Sequence, residues 1–255
     1  MADLLILLTN DDGVNALGLE MARRALEGLG RVVVVAPTEE RSGASHSLSL
    51  THPVRIEHLE SDRCATTGTP VDCVILGFRK ILERLPDLVV SGMNHGANLG
   101  EDVFYSGTVA AAREAALHAI PSFAVSTLGK HSNDFEHASG VLTHLVESLW
   151  SRVEGGTFLN INIPEGRPGE VRFTRQGSRT ITSGIAETTD LRGRTYFWIG
   201  ADQSQWMVTP ESNYEAIFGG QVSTTPMHLV QTDYQTLADL QQLELGALGS
   251  LESRQ

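Results

Sequence analysis

Two adjacent carboxylates, Asp11 and Asp12, end an apolar run in the segment Leu4 to Gly18, LLILLTNDDGVNALG, and a glycine follows them at once. Neighbouring carboxylates repel each other unless positive charge lies between them. A hard divalent cation such as Mg2+ or Mn2+, which takes oxygen ligands, meets that need. The same dipeptide also reads as an Asx-rich turn that caps the next helix, because Asn, Asp and Gly are ordinary turn residues. Three further segments carry side chains able to do chemistry. PTEERSGASHSLS, Pro37 to Ser49, offers the Ser42 hydroxyl beside Gly43, where a chain can turn sharply. SGMNHGANLG, Ser91 to Gly100, offers the amide oxygens of Asn94 and Asn98, with glycines that let backbone approach a ligand closely. YSGT, Tyr105 to Thr108, opens a helix at Val109, so Ser106 or Thr108 is either an N-cap or part of a phosphate cradle built on free backbone N–H groups.

Such segments need a scaffold that brings them together. Leu4 to Thr9 is a short apolar run stopped by a turn signal, which predicts a fully buried strand with the acid pair at its carboxyl end. Leu19, Ala22, Leu26 and Leu29 are spaced for a helix ending at Gly28 and Gly30, and RVVVVA, Arg31 to Ala36, predicts a second buried strand stopped by Pro37. A strand, helix and strand of these lengths make a βαβ unit and hence a parallel sheet with a right-handed crossover. Val71, Val74, Ile75, Phe78, Ile81, Leu82 and Leu85 mark another amphipathic helix, followed by a strand at Leu88 to Ser91. Ser106 to His118 is an alanine-rich helix, Ser122 to Ser126 a strand, Phe135 to Trp150 a helix, and FLNINI, Phe158 to Ile163, an alternating strand closed by Pro164. The fold class is therefore α/β, a Rossmann-like doubly wound sandwich of three layers around a mostly parallel sheet. The acid pair and the three segments fall at the carboxyl edge of that sheet, where open α/β folds hold ligands. Taken singly, each reads as ordinary turn, loop or cap chemistry. Acid pair, hydroxyl, amide and anion-binding helix terminus on one edge together make a metal-plus-phosphate site.

Beyond Pro164 the texture changes to short β-like pieces, Val171 to Arg175, Arg194 to Ile199 and Gln221 to Thr224, and Thr236 to Leu248 predicts a closing helix. Tyr196, Phe197, Trp198 and Trp206 cluster there in a chain that is only 6% aromatic, which favours an interface over a core. The organisation expected is one domain over 1–255, with an α/β core at 1–164 and a β-rich part at 165–255.

Composition narrows the partners. A net charge of −12 over 255 residues argues against nucleic acid, which needs clustered Lys and Arg, but leaves room for a small anion at a locally positive site. No apolar run reaches membrane-spanning length, and Asp3 is out of place in a secretory signal, so a cytoplasmic location is expected. Cys64 and Cys73 fit neither a zinc motif nor a disulfide framework and read as reduced packing residues. Neither Lys80 nor Lys130 sits in a Walker loop, and no G-x-G-x-x-G follows the first strand, which disfavours a nucleoside triphosphatase and a dinucleotide-dependent dehydrogenase. Adjacent rather than Asp-x-Asp acids make the covalent mechanism of haloacid dehalogenase-type phosphatases doubtful. His95 lies where it could polarise a leaving group, whereas His118 and His144 read as packing residues and His46 and His52 have no assigned part.

At these residues the chain resembles the SurE family, the survival protein E nucleotidases. LLTNDDGV, VVVAPTEERSGAS, TGTPVDCV, VVSGMNHGANLGEDVFYSGTVAAAREA and FLNINIP are similar to the family's motifs in order and spacing across roughly residues 4 to 164. The resemblance implies a metal-dependent phosphomonoesterase acting on nucleoside 5′- and 3′-monophosphates and, in some members, on short polyphosphate. It implies one divalent ion per subunit, Mg2+ or Mn2+, on Asp11, Asp12, Ser42 and Asn94; with the ion so held, the catalytic candidates are Asp11 and Asp12, whichever faces the attacking water accepting its proton. Phosphate contacts are implied for Asn98, Ser106, Gly107 and Thr108, and a homodimer or homotetramer formed by exchange of carboxyl-terminal hairpins. Two departures stand out: Leu17 where members usually have Pro, and Ser212-Asn213 where they have Thr-Asp, in the region assigned to exchange. Two readings from other classes compete, a non-catalytic nucleotide or metal sensor using the same pocket and an interaction protein built on the aromatic hairpin.

Overall fold

The computed structural model describes residues 4–129, 131–180, 184–199 and 205–243. In chain order it contains β1 (Leu4–Thr9), α1 (Leu17–Leu26), β2 (Gly30–Pro37), β3 (Ile56–Glu60), β4 (Arg63–Thr66), α2 (Pro70–Leu76), β5 (Leu88–His95), α3 (Gly107–Leu117), β6 (Ser122–Thr127), α4 (Ser132–Leu149) and β7 (Thr157–Ile163). The carboxyl-terminal part adds β8 (Val171–Phe173), β9 (Ser178–Thr180), β10 (Ile185–Thr189), β11 (Thr195–Ile199), β12 (Gln205–Met207), α5 (Asn213–Phe218), β13 (Val222–His228) and α6 (Tyr234–Gln241). One sheet runs β3-β4-β2-β1-β5-β6-β7-β13-β8, and the stretch from β4 to β7 is wholly parallel. The Rossmann-like α/β class holds, and β13 and β8 from the carboxyl-terminal part extend the sheet of the core.

Period-two alternation along β1 explains why its sequence is unbrokenly apolar. Leu4, Ile6 and Leu8 pack with Leu19, Ala22 and Leu26 of α1 and with Leu142, Leu145 and Val146 of α4. Leu5 and Leu7 face the other side, against Cys73 and Val74 of α2 and Ala111 and Ala115 of α3. Both faces of the strand are covered by helices, as a parallel sheet requires. Cys64 and Cys73 are free and buried, each in that second layer.

Two expectations change. The helix spaced from Val71 to Leu85 is α-helical only over Pro70–Leu76, started by a capping box in which the Thr69 hydroxyl and the Asp72 carboxylate bond each other's backbone N–H. It widens into a π turn at Gly77–Ile81, where a Cβ on Gly77 would sit 2.9 Å from a Leu7 methyl, so Leu82 and Leu85 lie beyond it. The strand foreseen at Leu88 to Ser91 continues to His95 through a bulge between Ser91 and Asn94. Ser212 and Asn213 lie outside the β10–β11 hairpin: Ser212 caps α5 through the Glu215 N–H, and the Asn213 amide oxygen accepts from the Gly177 N–H. Leu17 opens α1 as an exposed residue. The side chain of Trp206, and the predicted closing helix beyond Leu243, lie outside the described residues.

Candidate functional site

The sharp turn after β1 decides where the two acids go. Gly13 has a φ of +100°, and the Asn10 side-chain N–H bonds the Gly13 carbonyl at 2.9 Å, folding Asp11 and Asp12 back over the sheet edge. Asp11 is buried, and its carboxylate rests on the amino terminus of α3. One oxygen accepts from the Thr108 hydroxyl and the other from the Thr108 N–H at 3.1 Å, with the Gly107 N–H contributing as well. A helix amino terminus stabilises an anion through free N–H groups and its dipole. Here the anion is the protein's own aspartate. Asp12 is more open and accepts from the His95 N–H at 3.3 Å.

The bulge in β5 delivers the amides. Gly92 has a φ of +134°, and a Cβ there would lie 2.2 Å from the Val125 carbonyl oxygen, so only glycine permits the local path. Bulges re-aim side chains, and beyond this one Asn94 bonds the Gly96 carbonyl through its N–H at 2.7 Å, turning its amide oxygen free for a ligand. Asn98 is held more tightly. Its side-chain N–H donates to Ser126 at 2.7 Å, its backbone N–H to Asn162 at 2.8 Å, and its carbonyl accepts from Asn160 and Asn162. Asn160 and Asn162 are the polar positions of FLNINI. Alternation alone would send them to solvent, yet both are fully buried as the bed for Asn98.

Asp11, Ser42, Asn94, Asn98 and Ser106 line one cleft of about 250 Å3, with His95 and Tyr105 on its wall. Ser106 caps α3, its oxygen accepting from the Val109 N–H at 3.0 Å, and it also lines the cleft. Thr108, grouped by resemblance with the phosphate contacts, is fully buried and directs both donors at Asp11. Gly107 likewise serves Asp11, because a Cβ there would stand 2.9 Å from the Asp11 Cβ and carboxylate. Both residues set the acid in place. His95 contributes backbone to Asp12, while its ring lies 6.5 Å from that of Phe135. Residues that the sequence did not single out also shape the cleft, and Asp102 is part of its lining. Arg179 pairs with Asp102 at 2.6 Å, and the Gln176 side chain donates to the Gly100 carbonyl at 2.8 Å, tying β9 and its approach to the turn before α3.

The donor set suits a hard divalent cation. Burial holds the Asp11 carboxyl above the usual range, and burial together with the Asp11 charge pushes Asp12 up to about 6. Two carboxylates strained in this way are relieved by a cation between them. Ser42 and Asn94 complete the set with a hydroxyl and an amide oxygen, all hard ligands. Among the described residues no three His, Cys, Asp or Glu side chains gather into a metal-binding group. Among the described residues, too, no helix is long and apolar enough to cross a membrane.

Comparison with known proteins points the same way. The family described as Survival protein SurE matches residues 6–183. A protein of Syntrophotalea carbinolica named 5′-nucleotidase SurE is 43% identical over 236 residues, covering 91% of this chain and 94% of its own length. One of the same name from Aquifex aeolicus is 41% identical over 244 residues, covering 93% and 97%. The crystal structure of the SurE protein from Aquifex aeolicus aligns with a TM-score of 0.82 at 40% identity, over 93% of this chain and 98% of that one.

Proposed function

Because this chain belongs to the SurE family of survival proteins, we propose that it is a divalent-metal-dependent phosphomonoesterase that hydrolyses nucleoside 5′- and 3′-monophosphates to nucleoside and phosphate. The observation that carries the reading is the meeting of Asp11, Ser42 and Asn94 with Asn98 and Ser106 around one cleft, with Asp12 beside them. The relatives are nucleotidases by name, which counts against the non-catalytic sensor.

Asp11, Asp12, Ser42 and Asn94 would hold one cation, magnesium or manganese, which supplies the positive charge that a phosphoryl group and an attacking water both need. Asn98 and Ser106 offer N–H and O–H donors that orient the phosphate for in-line attack. Asp11 is immobilised by the α3 terminus and fixes the frame of the reaction. Asp12 keeps one carboxylate oxygen unengaged by the protein and is the better placed of the two to take the proton from the attacking water. With its own aspartate on the helix terminus, the cleft offers donors for one phosphate, which favours monophosphates over triphosphates and diesters.

The assembly proposed is a homodimer or homotetramer. Among the described residues β10 and β11 pair only with each other, in a separate two-stranded sheet, and on them Ile185, Tyr196, Phe197, Trp198 and Ile199 are all exposed. Soluble monomers rarely leave such a patch uncovered.

Phosphate release tests the function. AMP, with Mg2+ and then Mn2+, should be hydrolysed and the reaction abolished by chelator. Faster turnover of ATP or of a cyclic diester than of any nucleoside monophosphate would refute it.

A further inference from the structure

Glu114 has no part in the cleft, yet it is one of the few carboxylates that the fold keeps mostly buried. It sits on α3, and its two oxygens are shared between two histidines, His46 at 2.9 Å and His118 at 3.2 Å. These contacts hold its carboxyl below the usual range, His46 chief among them. His118 is a neighbour one turn along the same region, stacked edge-on against Phe78. His46 is not local: it belongs to the loop between β2 and β3 that also carries Ser42.

Near Ser42 that loop bonds locally, the Ser42 hydroxyl donating to the Glu40 carboxylate at 2.7 Å and the Ala44 N–H to the Arg41 carbonyl at 3.1 Å. Ser42 and Gly43 are exposed, and a Cβ on Gly43 would meet open space. Its entrance is pinned by the Arg41 N–H on the Asp11 carbonyl at 2.7 Å. Just past Ser42, the Ser45 N–H and hydroxyl bond the carbonyls of Tyr105 and Phe104, and His46 then reaches Glu114. The first turn of α3 holds Asp11 through Gly107 and Thr108, and Glu114 lies six residues further on, about 9 Å along the helix axis. One rigid helix thus grips both Asp11 and the loop that bears Ser42.

We infer that Glu114 is a positioning residue that acts through His46 to hold the Ser42 loop against the cleft, so that α3 sets the spacing of two cation ligands at once. The inference rests on Ser42 being a ligand, as proposed above. Groups that orient ligands from outside the coordination sphere are worth about ten- to hundredfold in metal affinity. The probe is Mn2+ itself, titrated by calorimetry and by the electron paramagnetic resonance of the free ion, in full-length protein shown to be folded by thermal melting. Glu114→Gln should weaken Mn2+ binding about tenfold or more. His46→Ala, which leaves α3 untouched, should do the same. His118→Ala should leave Mn2+ binding unchanged, since it releases only the other carboxylate oxygen. The deciding arm is the double variant: in a Ser42→Ala background, Glu114→Gln should change Mn2+ affinity less than threefold, because the ligand it positions is gone. If Glu114→Gln alone has no effect, or if its effect multiplies in full with that of Ser42→Ala, Glu114 is not acting through Ser42 and the inference falls while the ligand set stands. If Ser42→Ala alone leaves Mn2+ affinity unchanged, Ser42 is not a ligand, and that part of the proposed site falls together with the inference.

Discussion

Replacing Gly107 by alanine adds a single methyl group, and the structure fixes where it must go. The new Cβ would stand 2.9 Å from both the Cβ and a carboxylate oxygen of Asp11, and 3.1 Å from Pro70 on its other side. It is wedged, so the methyl cannot tilt away. Bringing the Asp11 contact to the 3.4 Å at which ordinary contact begins moves that side chain by about 0.5 Å, given by 3.4 minus 2.9. A displacement of about 1 Å in a reacting constellation costs on the order of 100-fold, so half that shift scales to about tenfold in kcat/KM. Overpacking adds a loss of stability of about 1–3 kcal/mol. The assay is phosphate release from AMP at saturating Mn2+, alongside Mn2+ titration and thermal melting, for Gly107→Ala and for Gly140→Ala. Gly140 lies within α4 with open space around it, so its alanine variant should keep full activity. Activity of Gly107→Ala within threefold of the unsubstituted protein would show that the Asp11 position is not what the α3 terminus sets.

Asp12→Asn should lower turnover about 10²–10³-fold even at saturating metal, since one ligand charge and the proton acceptor are both lost. The same variant has the opposite effect on stability without metal. The Asp12 carboxyl is raised to about 6 by burial and by Asp11, so between about pH 4 and 6 the folded protein keeps a proton that the unfolded chain gives up. In chelator, the stability of the unsubstituted protein relative to Asp12→Asn should therefore fall as pH rises from 4 to 6 and level off above. Melting temperatures whose difference is constant from pH 4 to 7 would overturn that account. Below pH 6, protons compete with metal for Asp12, so apparent Mn2+ affinity should drop about tenfold per pH unit. Light scattering at micromolar concentration should report a dimer or larger assembly, and Trp198→Asp with Phe197→Asp on the exposed hairpin should shift it towards monomer; a monomeric unsubstituted protein would refute the assembly.

The α/β class was legible because β1 and β2 are buried on both faces and so read as unbroken apolar runs, while the helices between them keep a 3.6-residue period. The candidate site was legible as residue types: Asp11, Asp12, Ser42, Asn94, Asn98 and Ser106 all stand after such strands or at a helix start. What each of them bonds to is a property of distant segments. Nothing local to YSGT says that its helix terminus is already taken by Asp11, 97 residues earlier in the chain, because that contact exists only once β1 and α3 pack on one sheet. FLNINI alternates, but alternation cannot tell solvent from a buried amide bed, and only the arrival of Asn98 makes Asn160 and Asn162 internal. His46 and Glu114 carry no local signal at all, being 68 residues apart and joined by the fold alone. Sequence determined which groups are available and at which sheet edge they gather. Tertiary structure decided which of them line the cleft and which hold the others still, because that division depends on contacts between segments remote in the chain.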